Sequence, residues 1–256
     1  MSAEVTSLRA AAFFDLDRTL MAGSSGLHWV RAVYRAGMIS RRQLASDGWA
    51  NLKFRLRGST DEETKAVKDR LGDFLEGRRV KDLERLGHQV LAGVLPRMYE
   101  RMLQTAYDHQ DEGRPVYICT AATQDMAEVL ATVLGFDGAA GSKLEKRDGF
   151  YTGGFDGPFC YGEGKPKRMR EIAERDGIDL AKSWAYSDSA SDLPMLRAVG
   201  HAVVVNPDAE LAQVAKDEGW EIMRFETLGR RLKVGAAVLA AAAAGGGAAT
   251  VKGKKR

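Results

Sequence analysis

The chain has 256 residues, of which 45% are hydrophobic and 29% charged. This length and composition are typical of a soluble globular protein with a sizeable core, built as one large domain or as a domain with an insertion. Seven of the 38 Lys and Arg residues and none of the 35 Asp and Glu residues lie after Glu226, which leaves residues 1–226 with a net charge of −4. A mildly acidic body gives no reason to expect nucleic-acid binding.

Cysteine usage and the start of the chain indicate the compartment. Cys119 and Cys160 are far apart in sequence and form no metal-ligand pattern, which is typical of reduced thiols in a cytosolic protein. Residues 1–9 contain Glu4 and no apolar core of signal-peptide length, so we expect no export signal. The sequence therefore predicts a cytoplasmic protein.

The first predicted element is a short buried strand that runs into two carboxylates. Residues 11–14 are apolar, and Asp15 and Asp17 follow directly. A short apolar run of this kind is typical of a strand in a parallel sheet, and open α/β sheets bind ligands at the carboxyl ends of such strands. Two carboxylates this close repel each other unless a cation or a shared proton compensates. On this stretch alone, a ligand site and a solvated acidic turn are both open.

Residues 27–93 have a helical pattern with no convincing strand. Gly37 is a plausible cap for the first helix and Ser40 for the start of a second, which runs toward Arg57. Further helices are predicted from residue 59, over 80–90, and over 97–110 with Pro96 in the first turn.

After residue 113 the pattern alternates between strands and helices. Strands are predicted over 116–120, 183–188 and 202–205, helices over 121–134, 165–175 and 192–199, and a glycine-rich hairpin over 149–157. This alternation predicts an α/β fold, a Rossmann-like parallel sheet flanked by helices, with the all-helical segment inserted just after the first strand.

Three of the predicted strands, over residues 11–14, 116–120 and 183–188, end in or run into groups that suit phosphate chemistry. A lysine begins the helix predicted between the second and the third of these strands. Parallel strands bring their carboxyl ends to one edge of a sheet, so these groups can converge. Carboxylates can hold Mg²⁺, a lysine and a hydroxyl can bind phosphate oxygens, and one carboxylate can attack phosphorus. The groups are Asp15, Asp17, Thr120, Lys165, Asp188 and Asp192.

These residues occur in the order and pattern of four family motifs. Residues 15–19 match Asp-x-Asp-x-Thr, Thr120 matches a Ser or Thr that ends the next strand, Lys165 matches an upstream lysine, and residues 188–192 match an Asp followed four residues later by another. The chain thereby resembles the haloacid dehalogenase superfamily over residues 10–225. Within it, the chain is similar to subfamily IB, the phosphoserine-phosphatase-like hydrolases with a helical cap.

The resemblance implies a role for each matching residue. Asp15 corresponds to the nucleophile, and Asp17 to the general acid that protonates the leaving oxygen and then activates water. The carboxylates of Asp15 and Asp188 and the main-chain carbonyl of Asp17 correspond to the Mg²⁺ ligands. Two further residues, Thr120 and Lys165, correspond to the phosphate-binding pair, and Asp192 to a supporting residue of the metal site.

Some of these assignments leave alternatives open. Lys167 lies two residues after Lys165, although the spacing to Asp188 favours Lys165. Asp192 is as plausible a helix cap as a metal-site residue. Thr120 taken alone is an ordinary strand-end hydroxyl, and only the ordered set supports a phosphate role.

The resemblance also predicts how the chain is divided. Residues 10–25 and 94–226 would form the catalytic core, residues 26–93 the helical cap, and residues 227–256 a basic tail rich in Ala and Gly. In phosphoserine phosphatases a glutamate seven residues after the general acid binds the substrate's ammonium group. Ser24 occupies that position here, and no carboxylate lies between Asp17 and Asp47. This departure disfavours phosphoserine as the substrate.

The tail has three open interpretations. Residues 234–251 carry no charge and consist of nine Ala, four Gly, three Val, one Leu and one Thr. Eighteen residues are about the minimum for a membrane span, but Ala and Gly contribute little hydrophobic energy. A disordered tail, a weak membrane anchor and a basic segment lying on anionic lipid all fit this composition. Weak membrane association through residues 228–256 would place the protein at the inner face of the membrane.

Together these observations predict a Mg²⁺-dependent phosphomonoester hydrolase that forms an aspartyl phosphate. Its expected substrate is a small phosphorylated metabolite or a lipid head group, and its oligomeric state is left open. Two alternatives remain: a phosphotransferase that uses the same phosphoenzyme, and a membrane-associated regulator that binds phosphorylated ligands without turnover.

Overall fold

A six-stranded sheet forms the centre of the fold. The computed structural model describes residues 8–40 and 61–225. The sheet has the order β3-β2-β1-β6-β7-β8, and β4 and β5 form a separate antiparallel hairpin. The strands are β1 Ala12–Phe14, β2 Val116–Thr123, β3 Gly138–Ser142, β4 Leu144–Arg147, β5 Phe150–Phe155, β6 Trp184–Ser187, β7 His201–Val205 and β8 Glu221–Met223.

Helices connect these strands, and two of the helices end at glycines. Gly135 and Gly177 follow two of the helices in the left-handed conformation, with φ of 70° and 66°, which glycine adopts without steric cost. The helices are α1 Ser25–Arg35, α2 Asp61–Leu75, α3 Val80–Glu84, α4 Gly87–Val94, α5 Glu100–Asp111, α6 Gln124–Leu134, α7 Gly164–Asp176, α8 Leu193–Leu196 and α9 Ala209–Asp217. Short 3₁₀ turns occupy Leu95–Arg97, Leu180–Lys182 and Ala190–Asp192.

Strand β1 is the central element because it pairs in parallel with both β2 and β6. Its side chains alternate between the two faces of the sheet. On one face Phe13 stacks on Tyr117 at 5.3 Å, and on the other Phe14 stacks on Tyr186 at 4.3 Å. Both phenylalanines are fully buried. Burial on both faces explains why the strand has an uninterrupted apolar sequence.

The observed sheet confirms the predicted fold class, with differences at some elements. Strand β2 continues to Thr123, so the helix predicted from residue 121 begins at Gln124. The helix predicted over 80–90 is two helices, α3 and α4, which separate before Gly87, a residue with low helix propensity. Pro96 lies in a 3₁₀ turn ahead of α5, whose first residue is Glu100. Four elements were not predicted: β3, β4, α9 and β8. The hairpin predicted over 149–157 contains only β5, because its partner β4 lies ahead of that range.

The predicted cap is only partly described. Helices α1 to α4 fall between residues 25 and 94, which agrees with a helical insertion after β1. The helix predicted from Ser40 toward Arg57 lies largely outside the described residues. Residues up to Ile222 form one compact unit and a second unit begins at Met223. The boundaries predicted for the cap therefore stay a prediction.

The predicted tail, residues 227–256, also lies outside the described residues. Among the helices that the structure describes, none combines the length and the apolar composition needed to cross a membrane.

A buried histidine links α5 to the face of the sheet that carries Phe14. Arg114 Nε donates to His109 Nδ1 at 2.6 Å, and Tyr186 Oη lies 2.8 Å from His109 Nε2. Because a guanidinium is only a donor, Nδ1 is the acceptor and Nε2 carries the proton that is donated to Tyr186. Burial and the charge of Arg114 lower the pKa of His109 to about 4. The imidazole is therefore neutral in the folded protein.

This neutral histidine predicts a loss of stability in acid. The folded pKa of about 4 lies below the ordinary value of 6.5, so the unfolded chain binds the extra proton between these two values. The contribution is complete above pH 6.5 and is lost as the pH falls toward 4. Between pH 7 and 4.5, we expect the wild-type free energy of unfolding to fall by about 2 kcal/mol more than that of a His109→Gln variant. Urea unfolding of both proteins between pH 7 and 4.5 measures this difference. The prediction would be contradicted if their free energies of unfolding changed in parallel with pH.

Candidate active site

The carboxyl end of β1 carries the two carboxylates that the sequence singled out. The Asp15 amide donates to the carbonyl of Tyr186 at 2.9 Å, which continues the pairing of β1 with β6 past the end of the strand. Asp15 is buried, with 8% of its surface exposed, whereas Asp17 is only partly buried. The two carboxylates therefore lie in different surroundings although they are two residues apart.

A buried ammonium group holds Asp15 and Asp192 together. Lys165 Nζ donates to Asp15 Oδ1 at 2.6 Å and to Asp192 Oδ2 at 2.7 Å. The side chains of Lys165 and Asp192 are each 3% exposed. An ion pair this far from water is maintained only when the charges are paired and hydrogen-bonded, as they are here.

Lys165 takes its position from the start of α7. A Cβ on the preceding residue, Gly164, would lie 1.7 Å from the carbonyl oxygen of Phe159, so only glycine fits there. The Lys165 amide donates to the carbonyl of Gly162 at 3.1 Å. The alternative lysine, Lys167, is exposed on the same helix. The structure therefore brings Lys165, and not Lys167, to the carboxylates.

The side chain of Asp192 makes no helix cap. It precedes α8, but it forms no hydrogen bond to the amides of that helix. Its Oδ2 instead accepts hydrogen bonds from Lys165 and, at 2.6 Å, from the hydroxyl of Ser187. Of the two alternatives that the sequence left open, the geometry favours a residue that orients the site.

Asp188 lies just past the end of β6 and pairs with an arginine of the first motif. Arg18 Nε lies 2.9 Å from Asp188 Oδ2, with 51% of the Arg18 side chain exposed and 7% of the Asp188 side chain. The backbone of Arg18 has a φ of 64°, which is uncommon for a residue with a side chain. Such outliers are frequent at functional sites, where the surrounding structure holds them.

Electrostatics distinguish the buried carboxylates from ordinary surface acids. Burial raises the pKa of Asp15 to about 8, an effect that Lys165 opposes and that Asp192 and Asp188 reinforce. Burial likewise raises the pKa of Asp188 to about 7, against the opposing charge of Arg18. Burial alone would lower the pKa of Lys165, but Asp15 and Asp192 raise it well above its ordinary value. The site thus contains three buried carboxyl groups, Asp15, Asp188 and Asp192, and the single buried ammonium of Lys165 cannot neutralise all of them.

Asp17 is held by a different set of donors. The Ser24 hydroxyl donates to its Oδ2 and the Ser25 amide to its Oδ1, both at 2.8 Å. Ser24 precedes α1 and Ser25 is its first residue. The carboxylate of Asp17 is therefore oriented by the beginning of the helical insertion.

Thr120 lies on β2, the strand beside β1. Its side chain is buried, and its Oγ1 accepts a hydrogen bond from the Ala122 amide at 3.2 Å. The register between β2 and β3 shifts between Cys119 and Thr123, so the strand is irregular at this point. The neighbouring Cys119 and Cys160 are buried free thiols with their sulfur atoms 4.0 Å apart.

The donor set suits a magnesium ion. Asp15 and Asp188 offer buried carboxylate oxygens, the ligands that Mg²⁺ prefers. Burial first, and neighbouring carboxylates second, raise their pKa values, and an added cation would favour the charged form of both. Within residues 8–40 and 61–225, no three His, Cys, Asp or Glu side chains come together as a metal cluster. The predicted set needs only two such side chains, because it takes the main-chain carbonyl of Asp17 as its third ligand.

Sequence reasoning did not anticipate three participants. Arg18, Ser25 and Ser187 contact Asp188, Asp17 and Asp192 respectively. Arg18 is one of the two variable positions inside the first motif, and Ser187 is the last residue of β6, directly before Asp188. Adjacency to motif residues is a signal for these two, whereas Ser25 lies eight residues after Asp17 and has no such signal.

Comparison with known proteins places these residues in a family context. A family model described as haloacid dehalogenase-like hydrolase matches residues 12–197. A Mycobacterium tuberculosis protein named phosphoserine phosphatase is 36% identical over 230 residues, which cover 89% of this chain and 75% of that protein.

Solved structures share the fold. A Bordetella pertussis protein of unknown function superposes with a TM-score of 0.74 at 25% identity, covering 85% of this chain and 99% of that one. A substrate-bound phosphoserine phosphatase superposes with a TM-score of 0.57 at 18% identity, covering 88% and 98% of the two chains. At this identity the second likeness concerns the fold alone.

The buried ion pair predicts a large difference between two lysine variants. Lys165→Met leaves Asp15 and Asp192 buried without their cation, so we expect the free energy of unfolding to fall by about 3–5 kcal/mol. Lys167→Met, the same change at the exposed lysine of α7, is expected to alter it by less than about 0.5 kcal/mol. Urea unfolding of both variants measures the difference. Equal stabilities would show that Lys165 carries no buried pair.

Proposed function

This chain belongs to the haloacid dehalogenase-like hydrolases and is a phosphatase of the phosphoserine-phosphatase-like kind, and from this premise we propose its mechanism and substrate class. The proposal is a Mg²⁺-dependent phosphomonoesterase that acts through an aspartyl phosphate at Asp15. Its substrate would be a small phosphorylated metabolite or a lipid head group.

In the first step an oxygen of the Asp15 carboxylate attacks phosphorus. The bond between phosphorus and the ester oxygen breaks, and the carboxylic acid of Asp17 gives its proton to that oxygen, so the alcohol leaves neutral. The phosphoryl group is then bonded to Asp15.

In the second step water replaces Asp15 on phosphorus. Asp17, now a carboxylate, takes a proton from the water as its oxygen bonds to phosphorus. The bond between phosphorus and Asp15 breaks, which releases inorganic phosphate and restores the Asp15 carboxylate. Asp17 ends the cycle protonated, ready for the next substrate.

The remaining residues compensate charge and hold position. Lys165 would bind a phosphoryl oxygen while it keeps Asp15 oriented, and the Thr120 hydroxyl would bind another. Asp15 and Asp188, with the main-chain carbonyl of Asp17, would hold Mg²⁺. When bound, that ion neutralises charge on the carboxylates and on the transferring phosphoryl group.

One observation carries this assignment of roles. Asp15 is buried against the Lys165 ammonium, whereas Asp17 is partly exposed and bound by the neutral donors of Ser24 and Ser25. Two carboxylates in unlike surroundings can perform unlike tasks in one reaction. The buried one suits the nucleophile, and the one at the entrance to the helical insertion suits proton transfer with the leaving group.

The nucleophile assignment predicts loss of turnover without loss of fold. Asp15→Asn removes the attacking oxygen anion but keeps the side-chain shape, so we expect no detectable phosphate release from any phosphomonoester in a panel with Mg²⁺. The panel includes phosphoserine and lysophosphatidate. Asp108→Asn, the same change at an exposed carboxylate on α5, should keep full activity. Full activity of Asp15→Asn would overturn the mechanism.

The acid role of Asp17 predicts a dependence on the leaving group. An alkyl alkoxide needs a proton to leave and a nitrophenolate does not. Asp17→Asn should therefore reduce kcat/KM for alkyl phosphates by about 10²–10⁴-fold, and that for p-nitrophenyl phosphate by less. Steady-state kinetics on both substrate types measure this. Equal losses on both would contradict the assignment.

The metal assignment predicts a change in the requirement for magnesium. A chelator should abolish hydrolysis and added Mg²⁺ should restore it. Asp188→Asn removes one carboxylate ligand, so the Mg²⁺ concentration for half-maximal activity should rise at least about tenfold. The Asp108→Asn control should leave that concentration unchanged. An unaltered requirement in Asp188→Asn would remove Asp188 from the metal site.

A further inference from the structure

A basic cavity lies between α1 and the α4 region. Its volume is about 350 Å³, which is in the range of small-molecule sites. Helix α1 contributes one wall, and α4 with the 3₁₀ turn after it contributes the other. The lining includes His28, Arg31, Arg35, Gly93 and Arg97.

The basic residues of α1 lie on the helix face that begins at the active site. Ser24 donates to Asp17, and His28, Arg31 and Arg35 follow it by about one, two and three helical turns. Residues at this spacing share one face of a helix. A line of basic side chains therefore leads away from the carboxylate that would protonate the leaving group.

The opposite wall of the cavity is joined to the segment between Asp17 and Ser24. The carbonyl of Arg97 accepts a hydrogen bond from the Ala22 amide at 2.8 Å, and Ala22 lies between Asp17 and Ser24 in the chain. The backbone that carries Arg97 is thus fixed relative to the segment that carries Asp17.

The shape of the cavity depends on a glycine. A Cβ on Gly93 would lie 2.2 Å from His28 Nδ1, so the imidazole packs directly against the α4 backbone. Burial lowers the pKa of His28, and the nearby charges of Arg97 and Arg31 lower it further. The positive charge beside the His28 ring therefore comes from Arg31 and Arg97 rather than from the imidazole.

The three arginines have no acidic partner in the described part of the chain. Arg31, Arg35 and Arg97 form none of the ion pairs found there, although other arginines such as Arg18 and Arg197 do. Their side chains are exposed at the cavity. A planar guanidinium suits bidentate binding of carboxylate and phosphate groups, and several together indicate an anionic ligand.

We propose that this cavity binds a second anionic group on the leaving-group half of the substrate, either a carboxylate or another phosphate. The inference rests on the proposed function, because it takes the phosphoryl group to lie at Asp15 and the leaving group beside Asp17. It narrows the substrate class to phosphomonoesters that carry a further negative charge. Arg31 and Arg97 are the specificity-determining residues in this proposal.

Matched substrate pairs test the proposal. Phosphoserine and phosphoethanolamine differ by a carboxylate, and 3-phosphoglycerate and glycerol 3-phosphate differ by a carboxylate in place of a hydroxymethyl group. A three-carbon ester with two phosphate groups tests the second possibility, in which the additional anionic group is a phosphate. We expect the wild-type enzyme to favour the more anionic member by about 10- to 100-fold in kcat/KM, the range of a charge-assisted hydrogen bond.

Two variants and a control locate the effect. Arg31→Gln and Arg97→Gln should each lower that preference at least about fivefold, because each removes a guanidinium from the cavity. Arg85→Gln removes a highly exposed arginine outside the cavity and should keep the wild-type preference. A wild-type enzyme without preference, or a preference that both cavity variants retain, would overturn the proposal.

A binding measurement separates this inference from the proposed function. Glycerate and glycerol are titrated into the wild-type protein by calorimetry, with glycerate expected to bind more tightly and to compete with substrate. If no phosphomonoester is hydrolysed in the presence of Mg²⁺, the proposed function fails. In that case, glycerate binding that is weakened in Arg31→Gln would still support the anion site.

If glycerate does not bind, or if it inhibits hydrolysis non-competitively, the placement of the cavity in the substrate site is overturned.

Discussion

Lys165 and Asp15 are separated by 150 residues of chain, yet their charged atoms lie 2.6 Å apart inside the protein. This contact forms only when β1 is central in the sheet, α7 starts at the correct point, and the loop after β6 brings Asp192 to the same ammonium. A buried ammonium is costly unless it is paired, so the same requirement fixes both the fold and the site. The buried thiol of Cys119 lies close enough to Lys165 to influence its pKa, and burial strengthens the charge interactions in this region.

The sheet also explains how two neighbouring carboxylates acquire different surroundings. Asp15 continues the ladder of β1 into the buried edge of the sheet, whereas the chain turns away at Arg18, whose backbone is left-handed. The carboxylate of Asp17 therefore accepts its hydrogen bonds from Ser24 and Ser25, at the beginning of the helical insertion. In the proposed mechanism, the nucleophile would therefore lie at the edge of the sheet, and the proton-transfer residue at the junction with the helices. The basic cavity lies beyond Ser24 along α1, on the side where the proposed leaving group would lie.

Much of this arrangement could be predicted from residue order. Strand ends determine where Asp15 and Asp188 lie, and a strand end is visible as an apolar run that stops. Thr120 instead lies inside β2, three residues before the end of that strand. Side-chain direction is not visible in this way. Asp192 makes contacts with Lys165 and Ser187 rather than with helix amides, and nothing in its sequence surroundings distinguishes these outcomes. Strand β3, with the sequence Gly-Ala-Ala-Gly-Ser, lacks the β-branched residues and alternation that indicate a strand, because its place is set by β2 and α6.

The proposed mechanism depends most on the covalent role of Asp15, which chemical trapping tests directly. The Asp17→Asn variant is mixed with p-nitrophenyl phosphate and Mg²⁺, quenched in acid within its first turnover, and mapped by peptide mass spectrometry. Nitrophenolate leaves without a general acid, but water is not activated, so the phosphoenzyme should accumulate. We predict a burst of one nitrophenolate per enzyme and a phosphoryl group on the peptide that contains Asp15. A linear time course with no phosphorylated peptide, or a phosphoryl group on another residue, would contradict it.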